Sequence, residues 1–320
     1  MREVRPAWRA RILLAFAAVY VLWGSTYLGI RIGVETIPPF LLAGARHLTA
    51  GLLLMGWLRL RGTPAPRWQH WRSAAIIGGL MLLGGNGLVT WAERRVPSGL
   101  AALIIASVPI WMTVLDGLQR RERPHGVVIG GLALGLAGLA FLVVPGRFAG
   151  GAHVDPLGAA VLLTAALMWA IGSLYSRRAA LPSSTLLATA MEMIAGGAIL
   201  FVVASLAGEW RGFALAAVST RSLLALGYLI VAGSLLGFSA YVFLLGATTP
   251  ARVSTYAYVN PIVAVVLGWA ILGEPVTPRT LLAAAIIIAA VALIIRRGGR
   301  RRAAEIAEEA APITAEAGRR

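Results

Sequence analysis

The chain has 320 residues, of which 58% are hydrophobic and 13% are charged. A soluble domain carries about 25% charged residues, and the apolar runs here repeatedly reach the roughly 20 residues that cross a bilayer as a helix, which excludes a soluble α/β enzyme. The net charge of +16 comes from 29 basic residues, all Arg and mostly at the ends of apolar runs, which argues against a nucleic-acid-binding face.

The first predicted element follows a basic N-terminus and stays apolar to about Ile30. It is too long for the apolar region of a signal peptide, about 7–15 residues, so we interpret it as a membrane helix. Proline stands at or near the starts of most later runs, where it costs a helix least. The sequence predicts an all-α membrane protein with ten transmembrane helices, at 12–30, 39–58, 74–92, 98–118, 126–144, 157–175, 184–207, 222–244, 251–272 and 279–295.

Arginine is distributed unevenly between the two sides of these helices. The termini and the even-numbered connections hold 21 Arg, whereas the odd-numbered connections hold 7. The positive-inside rule then places both termini in the cytoplasm. Abundant Ala, Gly and Arg suggest a bacterial genome, so we expect a multi-pass protein of the cytoplasmic (inner) membrane. Residues 296–320 are predicted to form a cytoplasmic tail whose Arg cluster contacts anionic lipid.

A weak internal repeat divides the chain into residues 12–144 and 157–295. Leu41-Leu42-Ala43-Gly44-Ala45 returns 145 residues later as Leu186-Leu187-Ala188-Thr189-Ala190, and Pro109 and Glu122 match Pro261 and Glu274, 152 residues later. Each half has five helices, an odd number, so the second half lies inverted relative to the first. Inverted repeats are typical of secondary transporters, whose binding sites lie near the bilayer midplane between the halves.

These features resemble the drug/metabolite transporter superfamily, specifically its bacterial ten-helix EamA-type exporters. The resemblance covers nearly all of the membrane part and rests on Trp23-Gly24-Ser25, Arg46, Pro109, Pro261 and Leu272-Gly273-Glu274. It implies a basket of four helices from each half around a central cavity, with helices 5 and 10 at the periphery. The loop after helix 4 reads Arg121-Glu122-Arg123, so its equivalence to Leu272-Gly273-Glu274 is weaker. Cargo varies widely in this family and does not carry over.

Ionisable residues well inside the helices are the first candidates for a substrate site. Such residues usually face a cavity or a partner, and they are Arg46 and His47 in helix 2 and Glu192 in helix 7. On the repeat alignment His47 is the counterpart of Glu192. One interpretation is a substrate or proton site across the interface between the halves. The other is a structural ion pair of Arg46 with Glu192 or Glu93.

Helix 3 carries Asn86, Thr90 and Glu93 at the i, i+4, i+7 spacing of one helical face. Lipid excludes such a face and a water-filled cavity needs one, so Asn86 and Glu93 are candidate substrate contacts. Two alternatives stay open. Glu93 can be solvated at the membrane interface, and Asn86 can bond neighbouring helices together.

Aromatic residues supply the rest of the candidate site. Tyr20, Trp23 and Tyr27 are predicted to share one face of helix 1, Trp169 lies in helix 6, and Tyr256 and Asn260 precede Pro261 in helix 9. Aromatic walls with a few polar groups suit amphipathic organic cargo. Packing is the alternative for each ring. Pro109 and Pro261 are expected to kink helices 4 and 9, either as hinges or as static bends.

The sequence therefore predicts a secondary transporter that exports small amphipathic metabolites, amino acids or drugs by alternating access, with no cofactor, metal or enzymatic activity. Without Cys there is no thiol chemistry, and neither a phosphate-binding loop nor the serine turn of an intramembrane protease is present. Its expected partners are a small-molecule substrate and membrane lipid. Whether protons or the cargo gradient drive transport stays open. A flippase of lipids or lipid-linked intermediates is the alternative.

Overall fold

The computed structural model describes residues 6–120, 126–143, 155–248, 253 and 255–293. These residues are mainly helical and include no β-strand. Seven helices are long and apolar enough to cross a membrane, and three shorter ones are also apolar, which confirms the ten predicted helices. Leu13, Leu14 and Leu224 are 69–70% exposed on the outside of the bundle, as lipid-facing side chains are. The predicted tail at 296–320 and Glu122 lie outside the described residues.

We number the ten helices α1 to α10. Three of them combine consecutive segments and one is interrupted by a turn. They are α1 (Pro6–Ala18, Val19–Trp23 and Gly24–Gly33), α2 (Pro39–Leu60), α3 (Trp68–Ile77, Gly78–Gly87 and Leu88–Ala92), α4 (Ser98–Ile105 and Val108–Arg120), α5 (Gly126–Val143), α6 (Pro156–Ser176), α7 (Thr185–Leu206), α8 (Thr220–Tyr228, Leu229–Leu236 and Gly237–Ala247), α9 (Tyr256–Leu272) and α10 (Pro278–Leu293).

α1 begins at Pro6, six residues earlier than predicted, and α3 and α4 differ from their sequence-based bounds or shape for local reasons. α3 begins at Trp68 instead of 74, because the Arg67 backbone N–H donates to Nδ1 of His70 and starts the helix in a polar stretch that hydropathy does not detect. α4 is interrupted at Ala106 and Ser107, just before Pro109, whose ring nitrogen cannot donate to the preceding turn. α9 continues through Pro261 without an interruption.

Helix packing follows the inverted repeat. α2 packs on α7, α4 on α9 and α5 on α10, so each of these helices contacts its own counterpart. Most of the remaining contacts occur in matched pairs: α1–α8 with α3–α6, α1–α9 with α4–α6, and α2–α8 with α3–α7. Exchanging the two halves therefore reproduces most of the contact pattern, with the α1–α4 contact as an exception. The chain is a bundle of two inverted five-helix repeats, as the sequence predicted.

Small residues set the distance between α2 and α7 at the centre of the bundle. A Cβ added at Gly51 would lie 2.8 Å from the backbone nitrogen of Ile194, and one at Gly197 would lie 2.5 Å from that of Leu48. Helices in lipid associate through such close backbone approach, because the surrounding acyl chains are as apolar as their side chains. The two halves are therefore joined along an axis that tolerates no larger side chain.

Two equivalent helices contain wide π-helical segments at mid-length. These are Gly78–Gly87 in α3 and Leu229–Leu236 in α8, which are separated by about the same interval as the sequence repeats. A third, shorter segment is Val19–Trp23 in α1. π-Helical turns are rare and often mark functional sites. They also shift the register of side chains, so the α-helical period used on the sequence fails at these positions.

Candidate functional site

Two faces of the bundle are used as reference below. The N-terminal face holds the start of α1 and the connections that follow the even-numbered helices, and the distal face holds the connections that follow the odd-numbered helices. The candidate residues lie at different depths between these faces. His47 is the ninth residue of α2 counted from the distal face, and Glu192 is the eighth of α7 counted from the N-terminal face. At about 1.5 Å per residue, these two levels are roughly 10 Å apart.

Arg46 is buried in α2, with 6% of its surface exposed, and it contacts α8 of the other half. Its Nε donates to Oγ of Ser234 at 3.0 Å. Gly233 permits this approach, since a Cβ there would lie 2.8 Å from Thr26 and 3.1 Å from Nη2 of Arg46. The terminal nitrogens of Arg46 have no hydrogen-bond partner among the described residues, and they are not fully buried. They can therefore receive an anionic group.

The ion pair that the sequence allowed for Arg46 is not formed. Neither Glu192 nor Glu93 has a carboxylate oxygen within 4.0 Å of a basic side chain in the described part of the chain. Glu192 is half-buried in α7. The ion pairs found among the described residues lie nearer the membrane surfaces and are Arg95–Asp155, Arg177–Asp116 and Arg221–Glu35. A structural pair of Arg46 with Glu192 therefore does not explain either residue.

His47 has 1% of its surface exposed, and neither ring nitrogen has a hydrogen-bond partner among the residues that the structure describes. A charged imidazole without an acceptor would be costly at that position. We therefore regard His47 as a neutral neighbour of Arg46.

The polar positions of α3 are buried to different degrees. Asn86 is half-buried, and its backbone oxygen accepts a hydrogen bond from Oγ1 of Thr90 at 2.7 Å. Glu93 follows the last residue of α3 at the distal face and has 0% of its surface exposed. Arg31 of α1 donates through Nη1 to the backbone oxygen of Glu93. The interpretation that Glu93 is solvated at the interface is wrong, because α1 and its neighbours cover it.

An aromatic cluster lies between α1, α8 and α9. Trp23 is at its centre, 5.3 Å from the ring of Phe238, 5.1 Å from Tyr241 and 5.2 Å from Tyr256 between centroids. Its Nε1 donates to the backbone oxygen of Gly233 at 3.1 Å, one residue before the partner of Arg46. The sequence predicted Trp23 and Tyr256 but missed Phe238 and Tyr241. Their signal was present as two aromatic residues three apart in α8.

Asn260 and Tyr27 differ in their relation to this cluster. Asn260 is buried on α9, and its amide, in the orientation that satisfies both atoms, donates to the backbone oxygens of Tyr256 and Tyr20. Tyr27 packs against an apolar cluster that includes Ile30 and also interacts electrostatically with Tyr256. The π-helical segment of α1 ends at Trp23, so Tyr27 follows one α-helical turn later, and the shared face of Tyr20, Trp23 and Tyr27 stays a prediction.

Trp169 lies in the region of the second half that is equivalent to the region of Trp23 in the first. A Cβ at Gly85 of α3 would lie 2.7 Å from Cε3 of Trp169, and one at Gly237 of α8 would lie 2.5 Å from Nε1 of Trp23. The tryptophan of each half therefore packs on a glycine of the other half, in or next to the π-helical segment there. Trp169 is half-buried, and its backbone oxygen accepts from Ser173 at 2.7 Å.

Long-range carboxylates cap two helices at the distal face. Glu274 accepts from Ser98 N at 2.8 Å, Ser98 Oγ at 3.0 Å and Gly99 N at 3.1 Å, all at the start of α4. Glu209 accepts from the backbone nitrogens of Phe40 and Leu41 at the start of α2. Both helices follow a proline, which offers no side-chain cap. Partial burial raises the pKa of Glu209, and its two backbone donors oppose that shift.

A depression of about 490 Å³ opens at the distal face. Arg31, Glu35, Arg221 and Glu274 give it a charged lining. Arg221 and Glu35 approach each other across it at 3.5 Å. The described residues contain no group of three side chains that could hold a metal ion. The depression is therefore a polar vestibule above the buried residues of α1 and α3.

The cap of α4 gives a test of how the distal face is held closed. We expect Glu274→Ala to lower the melting temperature of the purified protein by several degrees, because the donors of Ser98 and Gly99 lose their acceptor, at about 1–3 kcal/mol for a buried unpaired group. Glu35→Ala is the matched control, since its exposed ion pair contributes about 0–1 kcal/mol. Equal melting temperatures for the two variants would show that the cap does not hold this face.

Comparison with known proteins gives four consistent results. Residues 10–144 and 156–296 each match the EamA-like transporter family. The inner membrane transporter YedA of Escherichia coli K12 is 42% identical over 273 residues, which cover 84% of this chain and 85% of that protein. A probable amino-acid metabolite efflux pump of the same organism is 25% identical over 276 residues, or 81% of this chain and 86% of the pump. A crystal structure with 19% identity shows the same fold, with a TM-score of 0.60 over 89% of this chain and 97% of that one.

Proposed function

Because the chain belongs to the EamA-like transporter family, we propose that this membrane transporter exports small amphipathic metabolites, amino acids among them, across the bacterial inner membrane by alternating access. The inverted packing of the two halves supports this mechanism, since rocking one half against the other exposes a central site to each face in turn. We further propose residues 12–144 and 157–295 as its two domains, with both termini and the tail at 296–320 in the cytoplasm.

The observation that carries the proposal is the free end of Arg46. Its guanidinium is fixed at Nε by Ser234 of the other half, while its terminal nitrogens remain available. Arginine binds carboxylates with two parallel hydrogen bonds, so a cargo with a carboxylate fits this position. The names of relatives agree with this cargo class, since one is a probable amino-acid metabolite efflux pump.

The remaining candidate residues would form the walls of the same site. We propose that the aromatic cluster around Trp23 packs against the apolar part of the cargo, with Tyr256 and Asn260 on α9 and Trp169 in the second half. Asn86, Tyr27 and His47 lie toward the distal face and would contact cargo in the outward-open state. Glu192 lies nearer the N-terminal face and would meet cargo on entry.

A metabolite export screen tests this function. Cells that overproduce the protein are loaded with dipeptides, and amino acids released into the medium are quantified by mass spectrometry against cells with an empty vector. We expect at least one amino acid or derivative to accumulate outside faster. Unchanged release of every carboxylate-bearing metabolite, together with faster movement of a labelled lipid in reconstituted vesicles, would favour the flippase alternative instead.

A further inference from the structure

Glu93 is an ionisable side chain that the proposed cargo site does not use. It is sealed inside the bundle at the distal face, with 0% of its surface exposed. Neither carboxylate oxygen has a hydrogen-bond partner in the described part of the chain. A charged carboxylate buried without donors is strongly disfavoured, whereas the neutral acid is tolerated. Since no space surrounds the oxygens, a proton is the ligand that fits them.

Charged and titratable groups face Glu93 from three directions. Tyr27 and Arg31 approach from α1, Arg46 from α2 and Glu274 from the loop after α9. The two arginines favour an ionised carboxylate, while burial and Glu274 favour the acid. Neither arginine has a nitrogen within 4.0 Å of the Glu93 carboxylate oxygens. Small movements of either arginine relative to Glu93 would therefore change which form is stable.

Glu274 and Glu93 are neighbouring carboxyls with opposite surroundings. Glu274 accepts three hydrogen bonds from Ser98 and Gly99 at the start of α4. The carboxylate of Glu93 accepts none from the described residues. Of the two carboxyls, Glu93 is therefore the one whose oxygens have no donor to stabilise a charge.

Water can reach the neighbourhood of Glu93 from one side. Arg31 and Glu274 line the vestibule at the distal face, and both also lie near Glu93. Two of the groups that line the vestibule therefore also interact with the buried carboxyl. Opening of this face during a transport cycle would let Glu93 take a proton from water, with the O–H bond formed at a carboxylate oxygen.

We propose that Glu93 is the proton-binding carboxyl of this transporter, loaded from the distal face and kept protonated while that face is sealed. The proposal rests on the proposed function for its place in a transport cycle. It names the coupling ion and its site, which the family assignment leaves open. Release follows when helix movement brings an arginine to the carboxyl and makes the ionised form the stable one.

Infrared spectroscopy of the purified protein tests the proposal without any substrate. We expect wild type at neutral pH to show the carbonyl band of a buried carboxylic acid, and Glu93→Gln to lose one such band. Glu35→Gln is the matched control, because Glu35 lies at the same face but is exposed and paired with Arg221. It should keep the full signal. An unchanged carboxylic acid band in Glu93→Gln would overturn the proposal.

A second variant keeps the test decisive if Glu93→Gln does not fold. Arg31→Gln removes a positive charge near Glu93 and retains the carboxyl, so its infrared titration midpoint should move to higher pH than in wild type. An unmoved midpoint would also overturn the proposal. Both results are independent of cargo, so a failure here leaves the export screen to decide the proposed function by itself.

Discussion

Export in cells that carry Arg46→Gln is expected to fall about tenfold or more below wild type. The substitution removes the positive charge and the two-nitrogen fork that the proposed carboxylate would bind, and a hydrogen bond to a charged group contributes about 1.5–3 kcal/mol. Glutamine can still donate toward Ser234, so we expect the amount of folded protein to fall much less than export does. The measurement is the release rate of the exported metabolite, divided by the amount of protein in the membrane.

Two further variants separate the charge of Arg46 from its shape. Arg46→Lys keeps the charge without the fork and should export at an intermediate rate. Arg61→Gln is the control, because Arg61 is exposed and directly follows the last residue of α2. Its guanidinium lies over the ring of Trp57. It should export as wild type does. If Arg46→Gln loses folded protein and export in equal proportion, Arg46 is a structural residue and the cargo site lies elsewhere.

Folding should depend on one glycine of α2 and not on another. Gly51→Val is expected to abolish or strongly reduce the folded fraction, because its Cβ would lie 2.8 Å from the Ile194 nitrogen and 2.9 Å from the Ala190 oxygen. Backbone atoms cannot move aside as the end of a side chain can. The substitution should therefore lower the free energy of unfolding by roughly 3 kcal/mol or more, beyond the typical 1–3 kcal/mol of an overpacked core. Gly56→Val in the same helix is the matched control, because a Cβ added at Gly56 has no atom within 4 Å.

Size-exclusion profiles of detergent-solubilised protein measure this difference. Wild type and Gly56→Val should elute as one folded species, and Gly51→Val as aggregate or not at all. The two variants share a helix and a residue change, so general effects of valine on helix formation cancel. Similar profiles would show that α2 and α7 can move apart without loss of the fold. The close spacing of these two helices would then not depend on glycine at position 51.

Hydropathy was sufficient to predict the helices, because twenty apolar residues have few alternatives to a membrane span. The inverted arrangement also followed from the sequence, since five helices in each half leave no other orientation. The start of α3 was placed six residues late, because its first turns contain Trp68, His70 and Trp71 at a polar end of the helix. A window of mean hydropathy has no means of detecting a cap between Arg67 and His70.

The site was less predictable, for reasons that lie in register and in long-range contacts. A period of 3.6 does not hold through the π-helical segments of α1, α3 and α8, so sequence-based faces lose their register there. One of the two interpretations gave Arg46 a carboxylate partner, whereas its partner is Ser234, 188 residues away, at a close approach that Gly233 permits. A single sequence does not show which serine hydroxyl accepts a hydrogen bond from an arginine and which donates one to a backbone oxygen of its own helix.

The burial of Glu93 could not be inferred either. Its position next to Arg94 and Arg95 resembles a solvated helix end, whereas in the structure Arg31 of α1 contacts it and none of its surface is exposed. The caps formed by Glu209 and Glu274 were missed for the same reason. A helix that follows proline needs an acceptor from another part of the chain, and the sequence does not say which carboxylate supplies it.

Labelling of one introduced cysteine tests alternating access most directly, and the absence of native Cys makes the background clean. Ser234→Cys is nearly isosteric, lies against Arg46 and is 1% exposed. Exposed Ala65→Cys and Thr36→Cys mark the N-terminal and distal faces. A membrane-impermeant thiol reagent should label Ala65→Cys only from the cytoplasmic side, Thr36→Cys only from outside, and Ser234→Cys slowly from both sides. Labelling of Ser234→Cys from one side alone, or from neither, would contradict alternating access to a central site.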